Sequence, residues 1–419
     1  MFPNLRKIYH EFPRRFWVVV GVSFIDHIGG TLLFPFFALY ITQKFSVGMT
    51  QAGVILGMFS IFSLIGSMIG GALTDRLGRR RLILFGLIFS AISTLSLGLV
   101  NDFAVLFPLA AMIGLLADVS GPAHQAMIAD ILPEEKRQEG FGILRVVANM
   151  SWIIGPTIGG FVANRSFFAL FVIDAVVSCF VAFLFYRLIP ETKPQAHADA
   201  KPESMLQTFA GYGRALRDFP FVAFILASIL MGTVYQQMYH SLSVYLRDVH
   251  GITPQGYGFL LSSSAITVIF FQFWTTRVIK TRPPFLMMAL GVVFYTIGFG
   301  MFGFVTAFLM FVSAIVIITI GEMIVMPTSS ALAANFAPEE MRGRYMAVYG
   351  LTWVLPSTFG PAAAGYILDN FDPNLLWYIG AILCGVAALA FYALHLRLGT
   401  QERFAPAPPE ALPLPAASD

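Results

Sequence analysis

The sequence contains little charge and almost no cysteine. Only 12% of its 419 residues are charged, and its two cysteines, Cys179 and Cys384, both lie inside apolar runs. Two cysteines so placed exclude a disulfide framework and a cysteine-based metal site. The formal net charge is +3, so the chain also lacks the basic excess with which proteins bind nucleic acid.

Motifs for ATP binding and for covalent catalysis are missing too. No Gly-x-x-x-x-Gly-Lys segment followed by Ser or Thr occurs, and nothing resembles a nucleophilic triad or a zinc-binding histidine cluster. We therefore expect no enzyme activity, no metal, no cofactor and no direct use of ATP.

Apolar residues are abundant instead, at 57% of the chain. That is about 239 residues, enough for roughly twelve transmembrane helices of ~20 residues each. Apolar stretches between polar breaks predict twelve spans, at residues 16–41, 51–73, 82–100, 103–128, 140–163, 167–188, 220–246, 256–279, 284–304, 307–331, 342–367 and 374–397. The predicted fold is an all-α membrane protein.

An internal repeat divides the spans into two sets of six. Pro133-Glu134-Glu135 recurs as Pro338-Glu339-Glu340 and Gly155-Pro156 recurs as Gly360-Pro361, at one offset of 205 residues. This predicts two pseudo-symmetric six-helix bundles with a binding site between them near the midplane. The predicted boundaries are bundles at 1–189 and 220–400, a polar cytoplasmic linker at 190–219 and a disordered tail at 401–419.

The basic residues indicate the orientation of the spans. With the N-terminus inside, most of the 26 Lys and Arg fall in cytoplasmic loops and span ends. We therefore expect a multi-pass protein of the cell inner membrane with both termini cytoplasmic.

The loop after span two carries a distinctive cluster of glycine and charged residues. It reads Gly71-Ala-Leu-Thr-Asp75-Arg76-Leu-Gly78-Arg79-Arg80-Arg81. A glycine allows a tight turn, an aspartate accepts hydrogen bonds from a helix N-terminus, and arginines pair with an acid at another span end. Asp130, at the end of span four, is a plausible partner. The loop is interpreted as a gating motif, whereas an ordinary positive-inside loop would explain its arginines alone.

This loop resembles the signature Gly-x-Leu-x-Asp-Arg-x-Gly-Arg-Arg of the major facilitator superfamily. The segment 151–160 resembles the fifth-span Gly-Pro-x-x-Gly-Gly element of its proton-coupled efflux antiporters, through Gly155, Pro156, Gly159 and Gly160. The resemblance covers the whole chain and is nearest to the 12-span drug/proton antiporter branch. It implies alternating access by two rocking six-helix bundles, driven by proton entry.

One position departs from that resemblance. Efflux relatives usually carry an arginine early in span four, where this sequence has Ala110. The coupling scheme that the resemblance implies would then require another basic group, and Arg145 in span five is the candidate.

Ionisable residues inside spans are costly, so each is a functional candidate. Asp26, Asp118, Arg145 and Glu322 are the predicted proton-coupling residues. Removal of a carboxylate from water favours its protonated form, which a coupling group needs. Two alternatives stay open: Asp26 could be a structural acid, and Arg145 could form a permanent ion pair with Asp118 or Asp26.

Two further embedded groups receive structural roles. Asp174 lies in the outer part of span six, where water is closer, and is expected to be structural. His27 is expected to pack or to form a hydrogen bond between helices.

Polar and aromatic groups in span seven predict a substrate site. Tyr235 and Gln236 offer ring area and an adaptable amide, and Asn149 lies one turn after Arg145. The alternative for this part of span seven is an aromatic belt at the membrane surface.

The sequence predicts a monomeric transporter that exports lipophilic or amphipathic small molecules in exchange for protons. A lipid or glycolipid flippase of the same fold, a solute/proton symporter and a non-transporting receptor are the alternatives. The expected partners are the substrate, protons and membrane lipid.

Overall fold

The computed structural model describes residues 9–192, 213–338 and 341–404, apart from the side chains of a few helical residues that include Asp75. These ranges are almost entirely helical and contain no strand. Within them, eleven helical segments are long and apolar enough to cross a membrane. The prediction of an all-α, multi-span membrane protein is confirmed.

The helices follow the predicted spans closely. Spans one to six comprise Arg14–Leu33 with Phe37–Phe45, Met49–Leu77, Arg79–Leu99, Phe103–Ala117 with Gly121–Ile131, Glu134–Ala163 and Phe167–Leu188. Spans seven to twelve comprise Phe219–Tyr235 with Gln237–His240 and Leu242–His250, Pro254–Lys280, Pro284–Met301, Phe308–Phe336, Arg342–Asn370 and Leu375–Leu398. The helix Arg342–Asn370 has 29 residues, the length of a span, but is not among the eleven.

Spans one and four are not continuous α-helices. Short 3₁₀ turns interrupt them at Phe34–Phe36 and at Asp118–Ser120. Pro35 and Pro122 lie in or just after these turns, and proline has no N–H for the helical ladder. A 3₁₀ turn inside a helix often marks a hinge.

The chain forms two compact units. The first comprises Met1–Pro202, Gln236–Ala265 and Val354–Leu376, and the second comprises Glu203–Tyr235, Ile266–Trp353 and Trp377–Asp419. Spans seven, eight and eleven therefore each contribute to both units. These units contain different parts of the chain from the bundles predicted at 1–189 and 220–400. The two bundles therefore stay a prediction.

The first unit has two apolar clusters. One surrounds Phe16 and Phe185, and the other surrounds Tyr40, Ile55 and Phe171. The first cluster is built from side chains in and beside spans one to six, whereas the second also contains Val244 of span seven and packs against Leu368 of span eleven. Burial of apolar surface therefore holds these helices together.

The second unit has an aromatic core. Phe285 and Phe336 pack on Phe404, with ring centroids 5.0 and 4.8 Å away. Phe404 is fully buried in the 3₁₀ turn Glu402–Phe404, so the prediction of disorder from residue 401 is wrong for this turn. The remaining tail, 405–419, and residues 193–212 of the predicted linker lie outside the described residues.

Candidate functional site

At one end of the span-two helix, the gating motif forms a tight junction with span three. Gly78 joins the two helices with φ of +90°, a conformation that favours glycine. The Glu191 carboxylate lies against Gly78 and accepts the N–H groups of Arg79 and Arg80 at 3.0 and 3.3 Å. A helix N-terminus favours an anion, so Glu191 caps span three. Sequence reasoning missed Glu191, although an acid just after span six and near a basic loop was a usable signal.

The arginines of the motif bind the ends of neighbouring spans. Arg79 Nε donates to Asp130 Oδ2 at 2.9 Å, and this guanidinium is largely buried. The predicted pairing of Arg79 with Asp130 is therefore present. Arg80 donates to the Tyr186 carbonyl at 2.6 Å and lies over the Tyr186 ring.

The structure also describes two other predicted members of the motif, Arg76 and Gly71. Arg76 is exposed, and a Cβ at Gly71 would have no heavy atom within 4 Å. Close packing at Gly71 is therefore absent in this structure. The predicted role of Asp75 concerns a side chain outside the described part of the molecule.

At its other end, the span-two helix is capped by a carboxylate from span eleven. Asp369 accepts the N–H groups of Met49 and Thr50 at 2.8 and 2.7 Å and the Thr50 hydroxyl at 2.6 Å. These three hydrogen bonds satisfy donors that a helix N-terminus leaves unpaired. Sequence reasoning did not single out Asp369.

Small residues allow the same two helices to approach closely below this cap. Gly53 lies against the Pro361 carbonyl and Gly57 against the Thr358 carbonyl. Gly365, on span eleven, lies against the Met49 backbone. A side chain at any of these positions would occupy space already filled by the facing backbone.

The fifth-span element forms a packing surface with two faces. Gly155 and Gly159 lie against the backbone of span one at Thr31 and Leu32, and Gly160 lies against span eight at Pro254. Pro156 is inside the continuous helix Glu134–Ala163. The element therefore brings spans one, five and eight together through small residues.

The span-one acid Asp26 lies near a second carboxylate. Asp26 is half-buried and forms no hydrogen bond with any residue in the described ranges. Asp174 interacts electrostatically with Asp26, lies against Gly29 and accepts the Thr94 hydroxyl at 2.8 Å. Asp174 is buried, so the expectation that water is close to it is wrong.

Two histidines lie beside these acids. His27 Nδ1 donates to the Ser23 carbonyl at 2.7 Å, and a carbonyl can only accept, so neutral His27 carries its basic lone pair on Nε2. His124 Nε2 lies 3.1 Å from the Ser23 hydroxyl, and His124 is close enough to His27 for their charges to interact. The hydrogen bond of His27 lies within span one, not between helices. Sequence reasoning missed His124 because its partners are more than 90 residues away.

The remaining predicted coupling residues lie on spans four, five and ten. Asp118 Oδ2 accepts the Ser63 hydroxyl at 3.0 Å, at the 3₁₀ turn of span four. Arg145 is exposed and has no acidic partner among the described residues, so the considered ion pair with Asp118 or Asp26 is absent there. Asn149 is exposed one turn later, and Glu322 is half-buried in span ten. Ala110, where an arginine was expected from the resemblance, is fully buried.

The predicted substrate residues of span seven lie at a break in the helix. Tyr235 is buried, stacks on Tyr295 at 5.6 Å between ring centroids, and lines a narrow pocket in the second unit. The other pocket residues are Ser228, Met231, Gly232, Val325, Met326, Ser329, Tyr349, Thr352 and Trp353. Gln236 is half-buried between the helices Phe219–Tyr235 and Gln237–His240. The pocket is largely apolar, with hydroxyl groups at Ser228, Ser329 and Thr352.

Comparisons with known proteins agree with this architecture. The sequence profile of the Major Facilitator Superfamily matches residues 19–361 and 287–418. A Na⁺, Li⁺, K⁺/H⁺ antiporter of Planococcus maritimus is 26% identical over 79% of this chain and 84% of its own length. The quinolone resistance protein NorA of Staphylococcus aureus (strain MSSA476) is 23% identical over 91% of this chain and 97% of its own length.

The fold also matches solved transporters. A crystal structure of a POT family transporter in complex with a thioalcohol-conjugated peptide superposes with a TM-score of 0.78 at 16% identity, covering 93% of this chain and 97% of that one. Because the profile covers nearly the entire chain and the relatives are named transporters, this protein is a membrane transporter for small molecules and not an enzyme. The chain belongs to the Major Facilitator Superfamily.

Proposed function

We propose that the protein exports lipophilic or amphipathic small molecules in exchange for protons across the inner membrane, by alternating access. In this proposal, the bundles 1–189 and 220–400 are the moving parts and both termini are cytoplasmic. The resemblance to a cation/H⁺ antiporter and to a quinolone resistance protein supports exchange and export.

The single observation that carries the proposal is the titratable cluster on span one. Asp26 has no hydrogen-bond partner among the described residues, lies beside His27 and interacts with Asp174. A carboxylate in this position gains or loses a proton without breaking a fixed ion pair. Protonation of Asp26 would also relieve its repulsion with Asp174, which links proton uptake to the packing of spans one and six.

The other embedded charges extend this scheme. Asp118, Arg145 and Glu322 are secondary coupling candidates, and His124 joins them because it faces His27. Tyr235, Gln236 and Asn149 are the proposed substrate contacts. The aromatic and methionine side chains near Tyr235 support an apolar substrate, because rings and thioethers adapt to varied shapes.

Transport in proteoliposomes with an imposed proton gradient tests the proposal. The probes are a fluoroquinolone and the lipophilic cation ethidium, and a pH-sensitive dye reports proton movement. Asp26→Asn should abolish gradient-driven movement of the probe while equilibrium binding is kept. Asp102→Asn is the matched control, because Asp102 is an exposed helix cap whose contact with the Ala104 N–H can be kept by asparagine. Normal gradient-driven transport by Asp26→Asn would overturn the assignment.

The same vesicles separate the alternative functions. Movement of a fluorescent lipid between leaflets in place of the probes would identify a flippase. Movement of the probe in the same direction as the protons would identify a symporter. Exchange of Na⁺ or K⁺ for protons, with no movement of either organic probe, would favour a cation antiporter such as the relative from Planococcus maritimus.

A further inference from the structure

A groove runs between spans two, three and four in the first compact unit. Its volume is about 320 Å³, much larger than the narrow pocket at Tyr235. Its apolar lining consists of Ile69, Leu73, Leu77, Leu82, Phe85, Leu115, Leu116 and Val119. Among the described residues of this lining, Arg81 is the only charged side chain. The groove belongs to neither the proposed coupling cluster nor the proposed substrate contacts.

The lining has an elongated shape with a charged end. Ile69, Leu73 and Leu77 follow one another at intervals of four residues, so they form a ridge along one face of span two. Arg81 and Phe85 share a face of span three by the same spacing, and Arg81 lies in the first turn of that helix. An apolar track therefore ends at a guanidinium near the membrane surface.

Arg81 differs from Arg79 and Arg80 in having no partner among the described residues. Arg79 is paired with Asp130, and the guanidinium of Arg80 is held by Tyr186. Arg81 is exposed and forms no hydrogen bond or ion pair with any residue in the described ranges. Its five N–H donors are available to an anion, and a guanidinium binds phosphate oxygens through two parallel hydrogen bonds.

We propose that the groove is a binding site for an anionic phospholipid. The phosphodiester binds the guanidinium of Arg81, and one acyl chain lies along Ile69, Leu73 and Leu116. Leu77 and Phe85 remain 50% and 43% exposed, so both can contact an acyl chain without rearrangement of the helices. A zwitterionic headgroup carries its own cation beside the phosphate, so the Arg81 charge favours an anionic lipid.

Native mass spectrometry of the full-length protein, freed of co-purified lipid, tests the proposal. Titration with phosphatidylglycerol should give an adduct with about fivefold higher affinity than phosphatidylcholine, the value expected for one basic residue at the membrane surface. Arg81→Gln should remove this preference, because it weakens phosphatidylglycerol binding more than phosphatidylcholine binding. Arg277→Gln is the matched control, because Arg277 is exposed at the end of span eight and lies over the Phe273 ring; it should keep the preference.

A second variant tests the apolar part of the groove. Leu116 is partly exposed, so Leu116→Trp should fold, which circular dichroism checks, and should fill the track. It should weaken the binding of both lipids at this site.

Equal affinity of the parent for the two lipids would overturn the proposal. It would also be overturned by a preference that survives in Arg81→Gln, by equal losses in Arg81→Gln and Arg277→Gln, or by undiminished binding in Leu116→Trp. None of these outcomes depends on which molecule the protein transports.

Discussion

The two ends of the span-two helix are held by carboxylates from different parts of the chain. At one end, Asp369 reaches the N–H groups of Met49 and Thr50 from a position about 320 residues later in the chain. At the other end, Asp130 and Glu191 hold Arg79 from within the first 192 residues. The first set of contacts joins span two to span eleven, whereas the second joins the start of span three to the ends of spans four and six.

This difference separates a contact that can open from one that maintains the fold. The Asp369 cap consists of three hydrogen bonds at an exposed helix end, above glycines that contact backbone only. Those hydrogen bonds can be exchanged for hydrogen bonds to water when the cap opens. The Arg79–Asp130 pair is largely buried, and its loss would leave a buried charge without a partner. Alternating access requires contacts of the first kind, so we infer that Asp369 is a gate residue.

The largest expected effect is that of a glycine substitution in span two. Gly57→Ala places a Cβ against the Thr358 carbonyl, so the two helices must separate. Overpacking of this kind costs about 1–3 kcal/mol, enough to reduce closed molecules about tenfold. The distance between spin labels at positions 43 and 371, in a background without Cys179 and Cys384, should therefore increase. Gly71→Ala, in the same helix but with nothing within 4 Å, is the control and should leave the distance unchanged. Equal label distances in Gly57→Ala and Gly71→Ala would show that close packing at Gly57 does not hold spans two and eleven together.

The next effect concerns Asp369, which caps one end of span two, and Asp75, the aspartate of the predicted gating motif at the other end. Asp369→Asn should weaken the cap by about 1–2 kcal/mol, because the exposed group is partly screened, and should shift the population about five- to 30-fold towards an open form at this end. Asp75→Asn is expected to shift the population the opposite way. Label pairs at positions 43 and 371 and at positions 77 and 343 report the two ends separately.

The control for both variants is Asp372→Asn. Asp372 accepts the Asn374 N–H at 2.9 Å within an exposed turn and contacts neither span two nor its cap in the described structure. It should leave both label distances as in the parent. A shift of Asp369→Asn and Asp75→Asn in the same direction would contradict the assignment of opposed gates.

A smaller effect on gating, but a clear effect on stability, is expected from the Arg79–Asp130 pair. Arg79→Gln and Asp130→Asn should each lower the thermal midpoint, at a cost of about 2 kcal/mol, because one polar partner stays buried. The double variant should cost less than the sum of the single variants. Label distances at positions 43 and 371 should be unchanged. Additive costs would indicate that the two residues act independently.

The smallest effect is expected at a solvent-exposed ion pair. Hydrogen bonds to Glu139 and then Glu11, at 2.9 and 3.2 Å, raise the pKa of Lys136 above its ordinary value of 10.5. A raised lysine pKa contributes stability that is present below 10.5 and lost only as the pH rises through the higher folded-state value. The midpoint difference between Lys136→Gln and the parent should therefore be small and constant from about pH 6 to 9. A difference that changes within this range would assign the effect to another group.

Part of the candidate site could be predicted because its residues are recognisable from their type and their position relative to the spans. The Arg79–Asp130 pair follows from a basic loop and an acid that both lie at span ends on one side of the membrane. Asp26 is recognisable as a carboxylate in an apolar run, since the cost of burying charge makes such residues rare. Glu191, His124 and Asp369 were missed because each acts on a helix distant in sequence.

The wrong expectations share a physical cause. Asp174 was placed near water from its depth in span six, but its side chain is enclosed by Thr94 and Gly29. Phe404 was assigned to a disordered tail from the Pro/Ala-rich composition around it, but its ring is buried against Phe285 and Phe336. Depth and composition describe an average environment, whereas burial depends on which helix faces a given side chain.

The sequence by itself determined that this chain is a multi-span helical membrane transporter. In hydrocarbon every backbone group must be hydrogen-bonded within its own segment, so apolar length is sufficient to identify a span. Only the tertiary structure decided which spans touch, where spans one and four break, and that Asp369 caps span two. Those features depend on contacts between helices far apart in sequence, and the same apolar composition permits many pairings of helices in lipid.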